Sequence, residues 1–426
     1  MRSMADEKEQ ADPSTGISGP APDGPSAAAS PDTSHGPAAA GGEEAQRARR
    51  QAAFSRARRV LRRGPGTTLR QRIDELAEMT KTAGTVHDLD AFVDTYGDGV
   101  VAAVEDRVAQ LLGFPAAAFF PSGTMAQQVA LRAWAGRTGN PAVALHPLAH
   151  PEVHEEGALS ALSGLRTVHP TTEPRLPTAE EVAAFGEPFG TLMLELPLRD
   201  AGFVLPTWDE LTEVVAAARE RDAVVHFDGA RLWETTTHFG RPLDEIAGLA
   251  DSVYVSFYKS LRGLSGAVLA GPEDLIAEAR SWRHRYGGNL YQQFPAALAA
   301  LAGLEHVLPQ LPRYVAHARL VAEAIAEAFA AAPGIPWFRV HPRPPHTQEF
   351  QVWLPFDAQT LSEAAVRQAE DTGVALFGQW WRGGGPPGVA ATEVSLGAPA
   401  LEWTAEEVRE AATEFARRAV DLEAGA

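Results

Sequence analysis

VVHFDGARLWETTTHFGRPLDEIAGLADSVYVSFYKSLRGLSGAVLAG, residues 224–271, decides how the rest of the chain is read. A short apolar run, Ala223 to Phe227, ends in Asp228-Gly229-Ala230-Arg231. A second, Ser252 to Phe257, delivers Lys259 into a Gly/Ser-rich turn, and a third runs from Gly266 to Ala270. Continuous apolar runs bounded by glycine and polar turns mark strands buried on both faces of a parallel sheet, where chemistry gathers at the carboxyl ends. A carboxylate at one such end and a lysine at the next suit pyridoxal phosphate (PLP). The lysine holds the aldehyde as a Schiff base, and the carboxylate keeps the pyridine nitrogen protonated so that the ring draws electrons. Each residue alone has a plainer explanation, Asp228 as a helix cap and Lys259 as a surface lysine. The pair, in this strand setting, favours the cofactor.

Outside this stretch the same alternation continues. Ala116 to Phe120, Ala142 to Leu145 and Thr191 to Leu196 read as further short strands, the last carrying Glu195 near its end. Helical patterns separate them, at Val100 to Leu112, Met125 to Ala135 and Thr207 to Arg221, and alternation of this kind predicts a mostly parallel sheet with helices on both faces. Pro121-Ser122-Gly123-Thr124 is a small-residue turn that opens a helix. Free N–H groups, the favourable dipole end and the hydroxyls of Ser122 and Thr124 make it a candidate phosphate site, although such turns often do no more than cap. His150 and His154 are four apart with acids nearby, but Pro151 argues against one regular helix through both, and a metal site is not expected. From Trp337 onward, strand candidates around a helix at Ser362 to Asp371 indicate a smaller α+β domain.

The chain has 426 residues, no cysteine and a formal net charge of −18. Absence of cysteine excludes disulfides, thiolate metal ligands and a cysteine nucleophile. The acidic balance argues against nucleic acid as a partner. No run is long and apolar enough to predict a membrane span, and the polar N-terminus lacks a signal-peptide core, so a cytoplasmic location is expected. Residues 1–46, rich in Pro, Gly, Ala and Ser, read as a disordered tail. Residues 47–68 read as a basic arm or linker, either a solvated arm packing on the acidic body or a helix for an acidic partner. A large cofactor domain is expected over 69–305 and the small domain over 306–426.

Five stretches in order, YGDGVVAAVEDRVAQLLG, FFPSGTMAQQVAL, HPEVHEEGALSALSG, HFDGARLWE and SFYKSLRGLSGAVLAG, resemble the threonine aldolase/β-eliminating lyase family of fold-type I PLP enzymes. The resemblance covers roughly residues 90–420. It implies an α/β large domain with a mostly parallel seven-stranded sheet, PLP as cofactor, and a homodimer or homotetramer. It further implies Lys259 as the Schiff-base lysine, Asp228 as partner of the pyridine nitrogen and His150 as the imidazole over the ring. Ser122, Gly123 and Thr124 match the phosphate turn, Arg231 an arginine that holds the substrate carboxylate, and Glu155 an acid near the site.

Three positions depart from the family pattern. Leu198 stands where a histidine assists on the substrate hydroxyl, Tyr291 where an arginine reaches a neighbouring subunit's phosphate, and Glu393 near a carboxylate-clamping arginine. Arg382, beside Trp380 and Trp381, is the candidate replacement clamp. The expected activity is cleavage of a β-hydroxy-α-amino acid or β-elimination. Transamination or racemisation of an amine lacking the usual carboxylate, or a non-catalytic PLP-fold binding protein, are the alternatives.

Overall fold

The computed structural model describes residues 37–61, 68–382 and 388–425. Seven strands form the central sheet: β1 (Ala116–Phe120), β2 (Ala142–Ala144), β3 (Arg166–Val168), β4 (Thr191–Glu195), β5 (Val224–Gly229), β6 (Ser252–Ser256) and β7 (Ala267–Gly271). Their spatial order is β1-β7-β6-β5-β4-β2-β3. Strands β3, β2, β4, β5 and β6 run parallel, whereas β7 is antiparallel to both its neighbours. Every residue of β4 and β6 is buried, as expected for strands covered by helices on both faces.

The helices form where sequence signals start and stop them. Thr207 caps Trp208–Arg219 through a reciprocal capping box with Glu210, which satisfies two orphan N–H groups at once. Helix Gly99–Leu112 buries Val100, Val101, Val104 and Val108 and ends on Gly113, whose φ of 70° is the left-handed conformation open to glycine. Residues 87–94 form no helix; Asp94 is fully buried and accepts the main-chain N–H groups of Gln293 and Phe294, which pins this segment to the loop at 290–294.

The second domain is built on an antiparallel sheet of β8 (Arg339–His341), β9 (Glu349–Leu354), β10 (Trp381–Arg382) and β11 (Ala390–Ser395), in the order β10-β11-β9-β8. Its core holds Phe329, Phe377 and Phe415, with Trp380 stacked on Phe415 at 5.6 Å between ring centroids. The long helix Leu311–Ala331 serves both domains. Leu311 and Tyr314 pack in the large-domain core, and residues from Ala318 onward in the small one.

The basic stretch packs on the small domain. Helix Pro37–Arg56 lies along helix Ala358–Thr372, and the two-residue strands Arg59–Val60 and Val374–Ala375 pair in parallel. Arg49 meets Glu363 at 3.0 Å and Glu370 at 2.6 Å, but the three side chains are between 30% and 44% exposed, so these pairs contribute little. Burial of Ala53 and Phe54 in the small-domain core stabilises the docked helix more than these ion pairs do. Phe54→Ala is expected to cost about 3–5 kcal/mol, the usual range for deleting a buried ring, seen as a lowered melting temperature. An unchanged melting temperature would mean that the segment does not pack in solution. Of the tail expected over residues 1–46, residues 1–36 lie outside the described chain. Among the described residues no helix is long and apolar enough to cross a membrane.

Candidate active site

Three adjacent strand ends bring the titratable groups together. Glu195 at the end of β4 lies in register with Asp228 of β5, and Asp228 with Tyr254 of β6. Lys259 follows three residues after β6 ends. Its side chain is half-buried, and burial, then the guanidinium groups of Arg231 and Arg199, lower its pKa from the ordinary lysine value. A lysine so placed gives up its proton more readily and becomes a better nucleophile toward a carbonyl.

Asp228 is 2% exposed. One of its oxygens accepts the Ala230 N–H at 3.1 Å, and Gln127 also lies against the carboxylate. Gln127 is held in turn by His226, whose Nε2 is 2.6 Å from Gln127 Oε1 and whose Nδ1 is 2.8 Å from Ser252 Oγ. Burial pushes the Asp228 pKa up, with the nearby His150 acting in the opposite direction. A carboxylate buried in this way is stabilised by a cation brought to it, and a protonated pyridine nitrogen is such a cation. The Asp228 environment therefore fits PLP.

The turn after β1 also fits. Ser122 caps the 16-residue helix Gly123–Thr138, its hydroxyl accepting the Met125 N–H, and Thr124 is the helix's second residue. Gly123 approaches β6 so closely that a Cβ there would stand 2.0 Å from the Tyr254 hydroxyl. This position needs glycine for space, and the helix start it opens supplies N–H groups and a positive dipole end for a phosphate.

His150 opens the short helix His150–Val153, in which Pro151 is tolerated because it sits in the first turn. The helix stops before His154, so the two histidines do not share one regular helix. The His150 N–H donates to Glu195 Oε2 at 2.7 Å, and its Nδ1 lies 3.1 Å from Glu155 Oε1. Burial lowers the His150 pKa, but the Glu155 hydrogen bond and the charges of Asp228 and Glu195 outweigh it and the net direction is up. Glu195 also accepts the Arg199 N–H; burial and the neighbouring Asp228 nevertheless push its pKa to about 8.

The structure brings Lys259, Asp228, His150, Glu155 and Arg231 together at neighbouring strand ends, with the turn at Gly123 against Tyr254 of the same sheet. Arg382 does not join them. It lies on β10 with its side chain 70% exposed and is 3.6 Å from Asp357, while Trp380, two residues earlier, packs into the small-domain core. Leu198 is fully buried and bridges Val204, so it contributes no polar group.

Sequence reading passed over Arg199 and Glu349. Arg199 lies four residues beyond the acid that ends β4, and that position at a strand's carboxyl end was the available signal. Its Nη2 donates to Glu393 Oε2 at 3.0 Å, and its Nη1 lies 3.3 Å from His154 Nε2. His154 Nε2 is also 2.6 Å from Asp200 Oδ2. Arg231 meets Glu349 through Nε and lies over the Phe203 ring at 5.3 Å. Glu349 gave no local signal, because only folding brings β9 to the large domain.

The arrangement can hold a carbonyl cofactor on an amine, neutralise a ring cation, seat an anionic tail and bind a carboxylate. Comparisons with known proteins agree with it. A family model described as beta-eliminating lyase matches residues 77–349. The low specificity L-threonine aldolase of Escherichia coli K12 is 32% identical over 245 residues, covering 56% of this chain and 72% of that one. A provisionally named aromatic amino acid beta-eliminating lyase/threonine aldolase from Exiguobacterium sp. 255-15 superposes with a TM-score of 0.76 at 34% identity, covering 87% of this chain and 99% of that one. A provisionally named L-allo-threonine aldolase from Listeria monocytogenes EGD-E matches with the same TM-score at 32% identity, over 86% and 99% of the respective chains.

Proposed function

This chain belongs to the beta-eliminating lyase family of fold-type I enzymes, and on that premise we propose that it is a PLP-dependent, threonine-aldolase-like lyase cleaving the Cα–Cβ bond of β-hydroxy-α-amino acids. The observation that carries this reading is the meeting of Lys259, Asp228, His150 and the Gly123 helix start at neighbouring strand ends. PLP, when bound, supplies an electron sink for the pair left by the broken bond. Lys259 is the residue to hold its aldehyde, Asp228 its ring nitrogen, His150 its ring face, and Ser122, Gly123 and Thr124 its phosphate. Arg231 is placed to receive the substrate carboxylate.

Retro-aldol cleavage also requires removal of the β-hydroxyl proton, and Leu198 cannot do this. His154 is the group we assign to it. With Nε2–H donated to Asp200, Nδ1 is the nitrogen left to accept a proton, and the rings of His154 and His150 are 5.2 Å apart. The test is a panel of β-hydroxy-α-amino acids assayed for glycine and aldehyde. His154→Asn is expected to lower kcat about 10²-fold, within the span of a positioned acid–base group, with KM little changed. Release of a keto acid and ammonia would redirect the assignment to β-elimination, and amino-group transfer to the alternative chemistry.

A homo-oligomer completes the proposal. Phe92, Val93, Tyr96, Leu290 and Tyr291 are exposed, and Tyr96 and Tyr291 stack edge to face at 5.5 Å with a main-chain hydrogen bond between them, which joins the two segments in one apolar surface. Patches of this kind on a soluble chain mark association sites, and a second copy is the occupant we assign. Phe92→Asp is expected to shift the mass measured by light scattering from dimer or tetramer to monomer. A monomeric wild type would overturn this part of the proposal.

A further inference from the structure

The small-domain sheet presents two carboxylates to the site from one face. Glu349 of β9 pairs across to Ser395, and Gln351 to Glu393 of β11, so Glu349 and Glu393 are diagonal neighbours on the same side. Each meets an arginine of the large domain. Glu349 meets Arg231 at its Nε. Glu393 faces the opposite arginine along an edge, with Arg199 Nη2 donating at 3.0 Å and Nε also 3.0 Å away. The remaining nitrogen of Arg199, Nη1, abuts His154 at 3.3 Å and Asp200 at 3.5 Å. Glu393 therefore covers one edge of Arg199 and Asp200 lies by its other terminal nitrogen, in a site where the main chains of Arg199 and His150 share Glu195.

We propose that Glu393 determines the substrate class by masking Arg199, so that the site takes amino acids with a single carboxylate and refuses those with a second anionic group. This rests on the reading of the site as that of an amino-acid lyase and adds the residue that restricts it. The reason is electrostatic. A guanidinium edge already faced by a protein carboxylate cannot take a ligand carboxylate without leaving the first as a half-buried, unpaired charge. Removing the Glu393 charge reverses the situation and leaves Arg199 under-neutralised, which favours uptake of an anion. A role confined to fastening the two domains predicts no such gain.

The experiment compares succinate with propionate as unreactive probes, titrated calorimetrically into PLP-loaded wild type, Glu393→Gln and Glu393→Gln/Arg199→Met. Succinate is expected to bind Glu393→Gln about tenfold or more tightly than wild type, the least a charge-assisted contact to a guanidinium contributes. Propionate affinity should stay level, and the double variant should lose the gain. In kinetics the same substitution should lower KM for 3-hydroxyaspartate relative to KM for threonine. No gain for succinate, or a gain that survives in the double variant, overturns the proposal. Glu393→Asp, whose shorter carboxylate reaches Arg199 less well, provides an intermediate gain to measure should Glu393→Gln fail to fold. A wild type with no PLP band or no cleavage of any β-hydroxy amino acid would instead defeat the lyase reading, and the succinate comparison remains interpretable on the protein without PLP.

Discussion

Lys259→Ala is expected to abolish the visible absorption band that forms when the wild-type protein is mixed with PLP, and to lower turnover by about 10³-fold or more. That places the loss in the upper part of the span for a positioned acid–base group, because this lysine also supplies the covalent attachment. The environment explains why the loss should be specific. Burial and the adjacent Arg231 and Arg199 lower the Lys259 pKa, so at a given pH more of its amine is unprotonated than that of a solvent lysine. No other lysine can substitute, since the only others in the chain are Lys8 and Lys81, and Lys81 pairs with Glu78 on an exposed helix face. The folded state should be little disturbed, because the residue closes a turn and its side chain is not part of a hydrophobic core. Fluorescence and absorbance titrations with PLP, run beside circular dichroism, separate cofactor loss from unfolding. A band of equal intensity in the variant would show that PLP is held elsewhere, and the proposed role of Lys259 would fall.

Much of this site was legible in the sequence because its parts are local. Asp228 and Lys259 end buried strands, Gly123 opens a helix after a strand, and each signal lies within a few residues of the group it places. The sheet was legible for the same reason, since β4, β5 and β6 are short, mostly apolar runs bounded by polar turns. The substrate side was not, because it is assembled from a distance. Arg199 and Glu393 are 194 residues apart, and Arg231 meets Glu349 across the domain boundary. The family resemblance makes Glu393 a departure from a motif; only the fold shows that it faces a guanidinium. Arg382 failed for the complementary reason. Trp380, two residues earlier, is core, but the short edge strand that follows it, Trp381–Arg382, is exposed at both positions. The basic stretch read as an arm is likewise helix and strand because Ala53 and Phe54 find a partner core, not because of its charge.

Asp228→Asn is expected to lower kcat by roughly two to three and a half decades while leaving the PLP band in place, shifted in position. The substitution preserves shape, and an amide oxygen can still accept the Ala230 N–H that Asp228 now accepts at 3.1 Å. What it removes is the charge. Breaking a buried ion pair costs about 3–5 kcal/mol, and about 1.4 kcal/mol corresponds to a factor of ten in rate, which sets the expected range. The cost falls on kcat rather than on cofactor attachment, because Lys259 and the Gly123 helix start are unchanged and hold the other two ends of the molecule. Asp228 itself is held by its surroundings: Gln127 lies against it, His226 fixes Gln127, and burial keeps His226 neutral with its pKa depressed to about 3. This chain of contacts yields a second, graded result. Gln127→Leu leaves the Asp228 charge but removes a polar neighbour that favours it, so its pKa should rise further. As pH falls through that raised value the carboxylate is protonated and the ring nitrogen loses its counter-charge. The acid limb of the kcat profile should therefore move to higher pH in Gln127→Leu and disappear in Asp228→Asn, which has no carboxylate to titrate. A wild-type acid limb that persists unchanged in Asp228→Asn would assign it to another group and remove Asp228 from the role of ring partner.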